Sequence, residues 1–180
     1  MWELKEPRPV KLIIGILAAD KDALAEAAGA VNERIGKVDL ASEVWPFTQT
    51  DYYKDETGAN ILRQFVSIEG LVEPGKLGEI KHTTNKMEQE IAGALKMSVP
   101  RPVNLDPGLI EASKLVLATT KNYSHRIYIG NKMYAEVTLI YEKGGWRHFE
   151  WTYPDYRQQS YQEFFSEVRN KLLEQLKTCH

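Results

Sequence analysis

The chain contains a single cysteine, Cys179, so no disulfide forms within it and the fold has to hold by packing and hydrogen bonding alone. No long hydrophobic run is present: the longest, "LIIGILAA" over residues 12–19, falls far short of the ~20 apolar residues that span a bilayer. The opening "MWELKEPRPVK" is charged and broken by proline, unlike a signal peptide. A basic excess is missing too. Lys and Arg number 23 against 25 Asp and Glu, for a net charge of −2, and no basic stripe stands out. Phosphate neutralisation supplies most of the affinity of a general nucleic-acid binder, so that class is not expected. Histidines number four, and no Cys/His spacing points to zinc. Repeats, low-complexity tracts and linkers are absent. These absences favour a soluble, cytoplasmic, single-domain protein over residues 1–180, without a membrane segment.

What is present is enough apolar material for a core, at 43% of 180 residues. "KLIIGILAA" (11–19) reads as a strand buried on both faces. Asp20 can cap a helix running to about residue 35, with Gly36 as its stop. "ASEVWPF" and "NILRQFVSIE" read as strands, with Pro46 placing the first at an edge or a strand end. From Pro74 to Leu95, Leu77, Ile80, Thr84, Met87, Ile91 and Leu95 recur at helical spacing. "RPVNLDP" reads as a short strand running into a turn at Asp106-Pro107-Gly108, or Asp106 caps a helix that begins at Pro107. The opening order β-α-β-β-α-β is that of a ferredoxin-like two-layer sandwich. We therefore expect an α+β fold, a two-layer sandwich of a mixed, mostly antiparallel sheet with about three helices.

The last third differs in kind. Of 18 aromatic residues, 12 follow residue 120. "HRIYIG", "MYAEVTLIY" and "GWRHFEWT" alternate with a period of two between glycine-containing turns, the pattern of an antiparallel meander. Two-residue turns would pair Ile127 with Glu136 and Ile140 with Arg147, leaving His125 and Glu136 as diagonal neighbours on one sheet face. Asp155 then reads as the N-cap of a C-terminal helix whose Tyr161, Phe164, Phe165, Val168 and Leu172 form one stripe.

Tests for named chemistry mostly fail. "GLVEPGKL" (70–77) has P-loop spacing, but Leu77 replaces the magnesium-binding hydroxyl, Pro74 removes a phosphate-cradling N–H and Glu73 repels phosphate. Pro74 is better explained as a helix-start proline. For a GTPase, "DETG" (55–58) precedes the P-loop-like stretch, which is the wrong order, and "NKME" (85–88) ends in Glu and sits inside a predicted helix. "HTT" (82–84) lacks the second tripeptide that two-histidine phosphoesterases need. No Gly-x-Ser-x-Gly elbow occurs.

The segment "TTKNYSHR" (119–126) is the richest polar stretch next to an apolar run. Thr119 and Thr120 offer hydroxyls, and Lys121, His125 and Arg126 offer donors to an anion. We expect a small anionic molecule, a phosphorylated metabolite or nucleotide, to bind here. Asp51, Tyr53 and Asp106 are further ligand-binding candidates. If the protein is a hydrolase or transferase, His125 with Glu136 forms the acid–base pair. The alternative is a protein-interaction or assembly module that uses the aromatic meander. The sequence identifies no cofactor, no metal and no oligomeric state.

Together "PVKLIIGILAAD", "TDYYKDETG", "VNLDPGLIEASKLVLATTKNYSHRIYIG", "MYAEVTLIY" and "WTYPDY" resemble domain-of-unknown-function family 4416, with "NLDPG" and "WTYPDY" the more specific parts. The resemblance covers nearly the whole chain. It implies a complete one-domain prokaryotic protein and brings with it no catalytic residues. A GTP-binding label sometimes attached to such proteins finds no support in the motif tests above.

Overall fold

The computed structural model describes residues 3–48, 54–58 and 60–178. Strand β1 (Val10–Ala18) is buried along its whole length. Asp20 then accepts a hydrogen bond from the Ala23 N–H at 2.8 Å and starts helix α1 (Lys21–Arg34). Just beyond the helix, Gly36 takes a φ of +151°, where an added Cβ would lie 2.8 Å from Ile68. Only glycine fits that backbone and that gap. Strands β2 (Val38–Ala41) and β3 (Trp45–Pro46), the single turn α2 (Lys54–Thr57) and the long strand β4 (Leu62–Val72) follow. A 3-10 turn, Pro74–Lys76, leads into helix α3 (Leu77–Leu95). After it come β5 (Val103–Ile110), β6 (Lys114–Thr119), β7 (Ile127–Gly130), β8 (Met133–Glu142) and β9 (Gly145–His148). A second 3-10 turn, Pro154–Arg157, precedes helix α4 (Gln159–Thr178).

These strands form one sheet in the order β2-β4-β1-β5-β6-β8-β7, with β3 beside β4 and β9 beside β8. The fold is α+β, and each of these pairings is antiparallel. The opening departs from the plain β-α-β-β-α-β order, because β3 and α2 come between β2 and β4. Alternation along β1 divides the core. Leu12, Ile14 and Ile16 pack with α1 and α3, while Ile13 packs with Phe65, Phe164 and Phe165 beneath α4. Helices therefore cover both faces of the sheet, and α4 adds a layer to the two that the sequence led us to expect.

Two local readings of the sequence are overturned. Asp106-Pro107-Gly108 is neither a turn nor a helix start; it lies inside β5, with Gly15 paired to Asp106 and Ile14 to Pro107. On the other edge of β5 the Leu105 N–H goes to Glu88 Oε1 at 2.8 Å and the Glu111 N–H to Lys114 O at 2.9 Å. Alternation puts the missing N–H of Pro107 on that same edge. Pairing to β6 begins only at Gly108, opposite Leu117. Proline is tolerated because no strand needs its donor there. Asp155, read as a helix cap, lies instead in the 3-10 turn, buried against Arg63.

The meander register also shifts by one. Ile127 pairs with Ala135 and not with Glu136, because the ladder is irregular between Tyr128 and Gly130, where Gly130 adopts a φ of +90°. The second hairpin keeps the expected Ile140–Arg147 pair.

Candidate functional site

Beyond the Gly108–Leu117 pair, β5 and β6 no longer bond, and an open cleft of about 1080 Å³ occupies the gap. Its walls come from both faces of the sheet. From α3 come Lys81, Asn85, Glu88 and Gln89; from the α4 side come Arg63, Asp155 and Tyr156; Thr119, Thr120 and Lys121 form the rim. The segments "NLDPG" and "WTYPDY" meet here, the first through Asn104 and Asp106, the second through Tyr153, Asp155 and Tyr156.

Charge in the cleft is balanced and mostly paired. Among the described residues five cations (Arg63, Lys81, Arg101, Lys121, Arg126) line it with five carboxylates (Glu56, Glu88, Asp106, Glu136, Asp155). Lys81 Nζ donates to Leu105 O at 2.8 Å and to Asp106 Oδ1 at 3.1 Å, and lies 3.9 Å from Glu88. Arg101 donates to Glu88 at 2.8 Å and also bonds Asn104. Arg63 donates from Nη2 to Asp155 at 2.9 Å and lies over the rings of Phe47, Phe65 and Tyr156. Its Nε and Nη1 are sealed from solvent and meet no hydrogen-bond partner among the described residues. Gly15 leaves the space it occupies: a Cβ there would lie 3.1 Å from Nη1.

Burial and neighbours pull these carboxyls in opposite directions. Burial would raise Asp106, but Lys81 and Arg63 outweigh it and hold the group below its ordinary range. For Glu88 and Asp155 burial wins, and both are raised despite Lys81 and Arg101 beside the one and Arg63 beside the other. The Tyr153 hydroxyl is pushed up to about 12 by burial and by Glu136, so it stays protonated near neutral pH.

Of the residues singled out from sequence, Thr119, Thr120, Lys121, Arg126, Glu136 and Asp106 all line the cleft. Asp51 and Tyr53 lie outside the described residues. His125 does reach Glu136, with Nε2 at 3.1 Å from Oε2, but from the loop before β7 and not from a paired strand. Its ring stacks on Trp151 at 5.1 Å and contacts Tyr123 at 5.3 Å, and it does not line the cleft. Glu136 is almost completely covered and also accepts from Arg126 Nε at 2.7 Å. Arg126 Nη1 donates to Lys121 O at 3.0 Å and Nη2 to the Tyr153 hydroxyl at 2.8 Å. Arg126 thus closes the 119–126 loop onto the "WTYPDY" turn.

Lys81, Glu88, Arg101, Asn104 and Arg63 were missed. A signal existed for two of them. Lys81 and Glu88 stand seven residues apart on the buried face of α3, beside Thr84 and Ile91. Charges at that spacing on a buried stripe mark a place where the core opens. Among the described residues no group of three or more His, Cys, Asp or Glu side chains is disposed to hold a metal. Lys76 does not line the cleft, and Gly70–Val72 remain in β4 without forming a phosphate-wrapping loop. Among the same residues no helix is long and apolar enough to cross a membrane.

No curated protein and no solved structure matches this chain. A family does, over residues 8–172, which take in β1 through most of α4 and every described wall of the cleft. The chain belongs to the family described as domain of unknown function (DUF4416).

Proposed function

We propose that the cleft between β5 and β6 binds a small anionic ligand, a phosphorylated metabolite or nucleotide, with the 119–126 segment as its rim and a cytoplasmic setting. The observation that carries this reading is the opening itself. A continuous sheet would have buried this region; Pro107 leaves β5 without a donor toward β6, and polar side chains from both faces fill the space. The volume suits a metabolite. Lys121 and Thr120 are exposed at the mouth, where an anion meets them at little desolvation cost.

The test is a thermal-shift panel of nucleotides and phosphorylated metabolites on wild type, Lys121→Ala and Lys76→Ala. A ligand at 100 times its Kd adds about 2.7 kcal/mol, which raises Tm by roughly 5–10 °C for a chain of this length. The shift should shrink in Lys121→Ala and persist in Lys76→Ala. An unresponsive wild type would sink the reading.

A second reading, assembly through the meander, draws on one feature. Strand β7 ends the sheet with Ile127 71% and Tyr128 57% exposed. Unpaired edges of this kind accept another strand. Light scattering on wild type and Ile127→Lys tests it, since a dimer built on β7 would dissociate in the variant. The acid–base reading of His125 and Glu136 has less behind it, because both groups are engaged away from the open part of the cleft.

A further inference from the structure

Beside the cleft mouth lies a second depression of about 520 Å³, walled by His82, Asn85, Lys86, Gln89, Lys132 and Thr120. It shares Asn85, Gln89 and Thr120 with the cleft, so the two adjoin at the cleft mouth. Their charge differs sharply. Among the described residues the cleft holds as many carboxylates as cations, while the basin's lining has two lysines and an imidazole and no carboxylate. Lys86 has Glu90 at 3.8 Å, but that pair is exposed at 73% and 45%, a class of contact worth little and readily exchanged for another anion.

The basin has fixed walls. Asn131 and Lys132 form the β7–β8 hairpin tip, with φ of 52° and 61°. His82 of α3 donates from Nε2 to Asn131 O at 2.6 Å and pins that tip to the helix. Gly78, one turn earlier, faces the same hairpin beside Ile129 and Met133. The backbones that carry Lys86 and Lys132 are therefore fixed beside the same hollow by a contact that does not involve their ammonium groups.

At the other end the accessible group is an acid. On the floor the Asp106 side chain is 26% exposed, against 8% for Glu88, 5% for Asp155 and 1% for Glu136; Glu56 is more exposed, at 49%, and lies 3.7 Å from Arg101. Lys81 and Asn104 each occupy one of its oxygens and fix the carboxylate in place. A phosphate pushed to this floor would face Asp106. A hydroxyl or amine would find an acceptor there.

We propose that this depression binds a phosphomonoester in one orientation, with the phosphate in the basin at Lys86 and Lys132 and a hydroxyl or amine of the other end on Asp106. This rests on the reading that the cleft binds a small anionic ligand, and it adds the ligand's class and its polarity. A sugar phosphate or nucleoside monophosphate has this division: a dianion at one end and hydrogen-bond donors at the other.

The test is isothermal titration of sugar phosphates and nucleoside monophosphates, each beside its dephosphorylated counterpart, and of inorganic phosphate. The proteins are wild type, Lys86→Gln/Lys132→Gln and Asp106→Asn. Both sets of substitutions leave the sheet pairings untouched, and circular dichroism checks that each variant folds. A phosphorylated member should bind wild type at least about tenfold more tightly than its counterpart, a margin of about 1.4 kcal/mol. The basin variant should erase that margin, and Asp106→Asn should weaken both members of the pair alike. If phosphorylated members bind the basin variant as well as wild type, the orientation is wrong, while weakening by Lys121→Ala would still uphold the cleft as the site. If no member binds wild type, the cleft reading fails and this inference fails with it.

Discussion

Lys81 and Asp106 meet through the opening in the sheet. The lysine comes from α3 on one face, yet its Nζ lies 3.1 Å from Oδ1 of an aspartate paired to Gly15 and directed toward the other. Glu88 stands on the same helix 3.9 Å from that Nζ, so one ammonium serves two acids. The two acids carry opposite pH signatures. Asp106 is held below its ordinary value, so its stabilisation is complete above roughly pH 4 and is lost as pH falls through its depressed folded value. Glu88 is raised, so its contribution is fullest below its ordinary value and is lost as pH rises through the raised one. Urea midpoints measured from pH 3 to 7 should therefore respond in opposite senses. Asp106→Asn should flatten the acid limb, and Glu88→Gln should remove a loss that sets in above roughly pH 4.5. Parallel changes in both variants would refute the assignment.

Arg63 and Asp155 form the most enclosed ion pair in the cleft, with side chains 4% and 5% exposed. Removing either partner should cost about 3–5 kcal/mol, because the other is left as an unpaired buried charge. The pair itself is an expensive arrangement, since two charges are taken out of water and Arg63 Nε and Nη1 meet no hydrogen-bond partner among the described residues. The double variant Arg63→Met/Asp155→Leu should therefore recover most of the loss in chemical denaturation. Additive losses would mean that each side chain acts independently.

How much of this was legible in sequence depends on what each feature rests upon. Helix α1 was plain because its signals are local: Asp20 at the start and Gly36 just beyond the end. The α4 stripe was plain for the same reason, since Tyr161, Phe164, Phe165, Val168 and Leu172 carry the helical period themselves. Strand β5 was hidden, because Asp-Pro-Gly is turn chemistry by every local rule and is tolerated in a strand only where the neighbouring strand has stopped pairing. The His125–Glu136 contact was anticipated for the wrong geometric reason: the irregularity at Gly130 moved the register, and the loop restored the contact. Arg63 gave little warning, because its partner Asp155 lies 92 residues away.

A second charged cluster holds α4 to the sheet. Lys11 is fully buried and donates to Asp39 at 2.6 Å, Gln175 at 2.9 Å and Glu69 O at 3.1 Å, while Lys171 reaches the same Asp39 at 3.2 Å. Burial would raise the Asp39 carboxyl, but hydrogen bonds from Lys11, Ser67 and Lys171 hold it below its ordinary value. Asp39→Ala leaves Lys11 uncompensated and should cost about 3–5 kcal/mol. Hydrogen exchange should accelerate first over residues 159–178, because two of the cluster's members, Lys171 and Gln175, belong to α4. Uniform acceleration across the chain would show that the cluster does not serve α4 in particular.

Gly108 marks the last bonded step before the sheet opens, and the hairpin there has no room for a side chain. An added Cβ would lie 2.7 Å from Leu117 Cδ2 and 3.1 Å from Val116 O. The first contact can relax by rotation of leucine, but the second is with backbone. Gly108→Ala should therefore cost about 1–3 kcal/mol, the usual penalty for overfilling a packed site. Leu117→Ala alone removes part of the α4-side core and should cost about 2–5 kcal/mol. If the clash is mainly with the leucine, the double variant will be more stable than the sum of the two losses predicts. If the carbonyl of Val116 dominates, the losses will add, and the β5–β6 pairing will have been pushed open from its cleft end. Denaturation midpoints for the four proteins of this cycle decide between the two, and the coupling energy measures how tightly the chain is closed at the edge of the cleft.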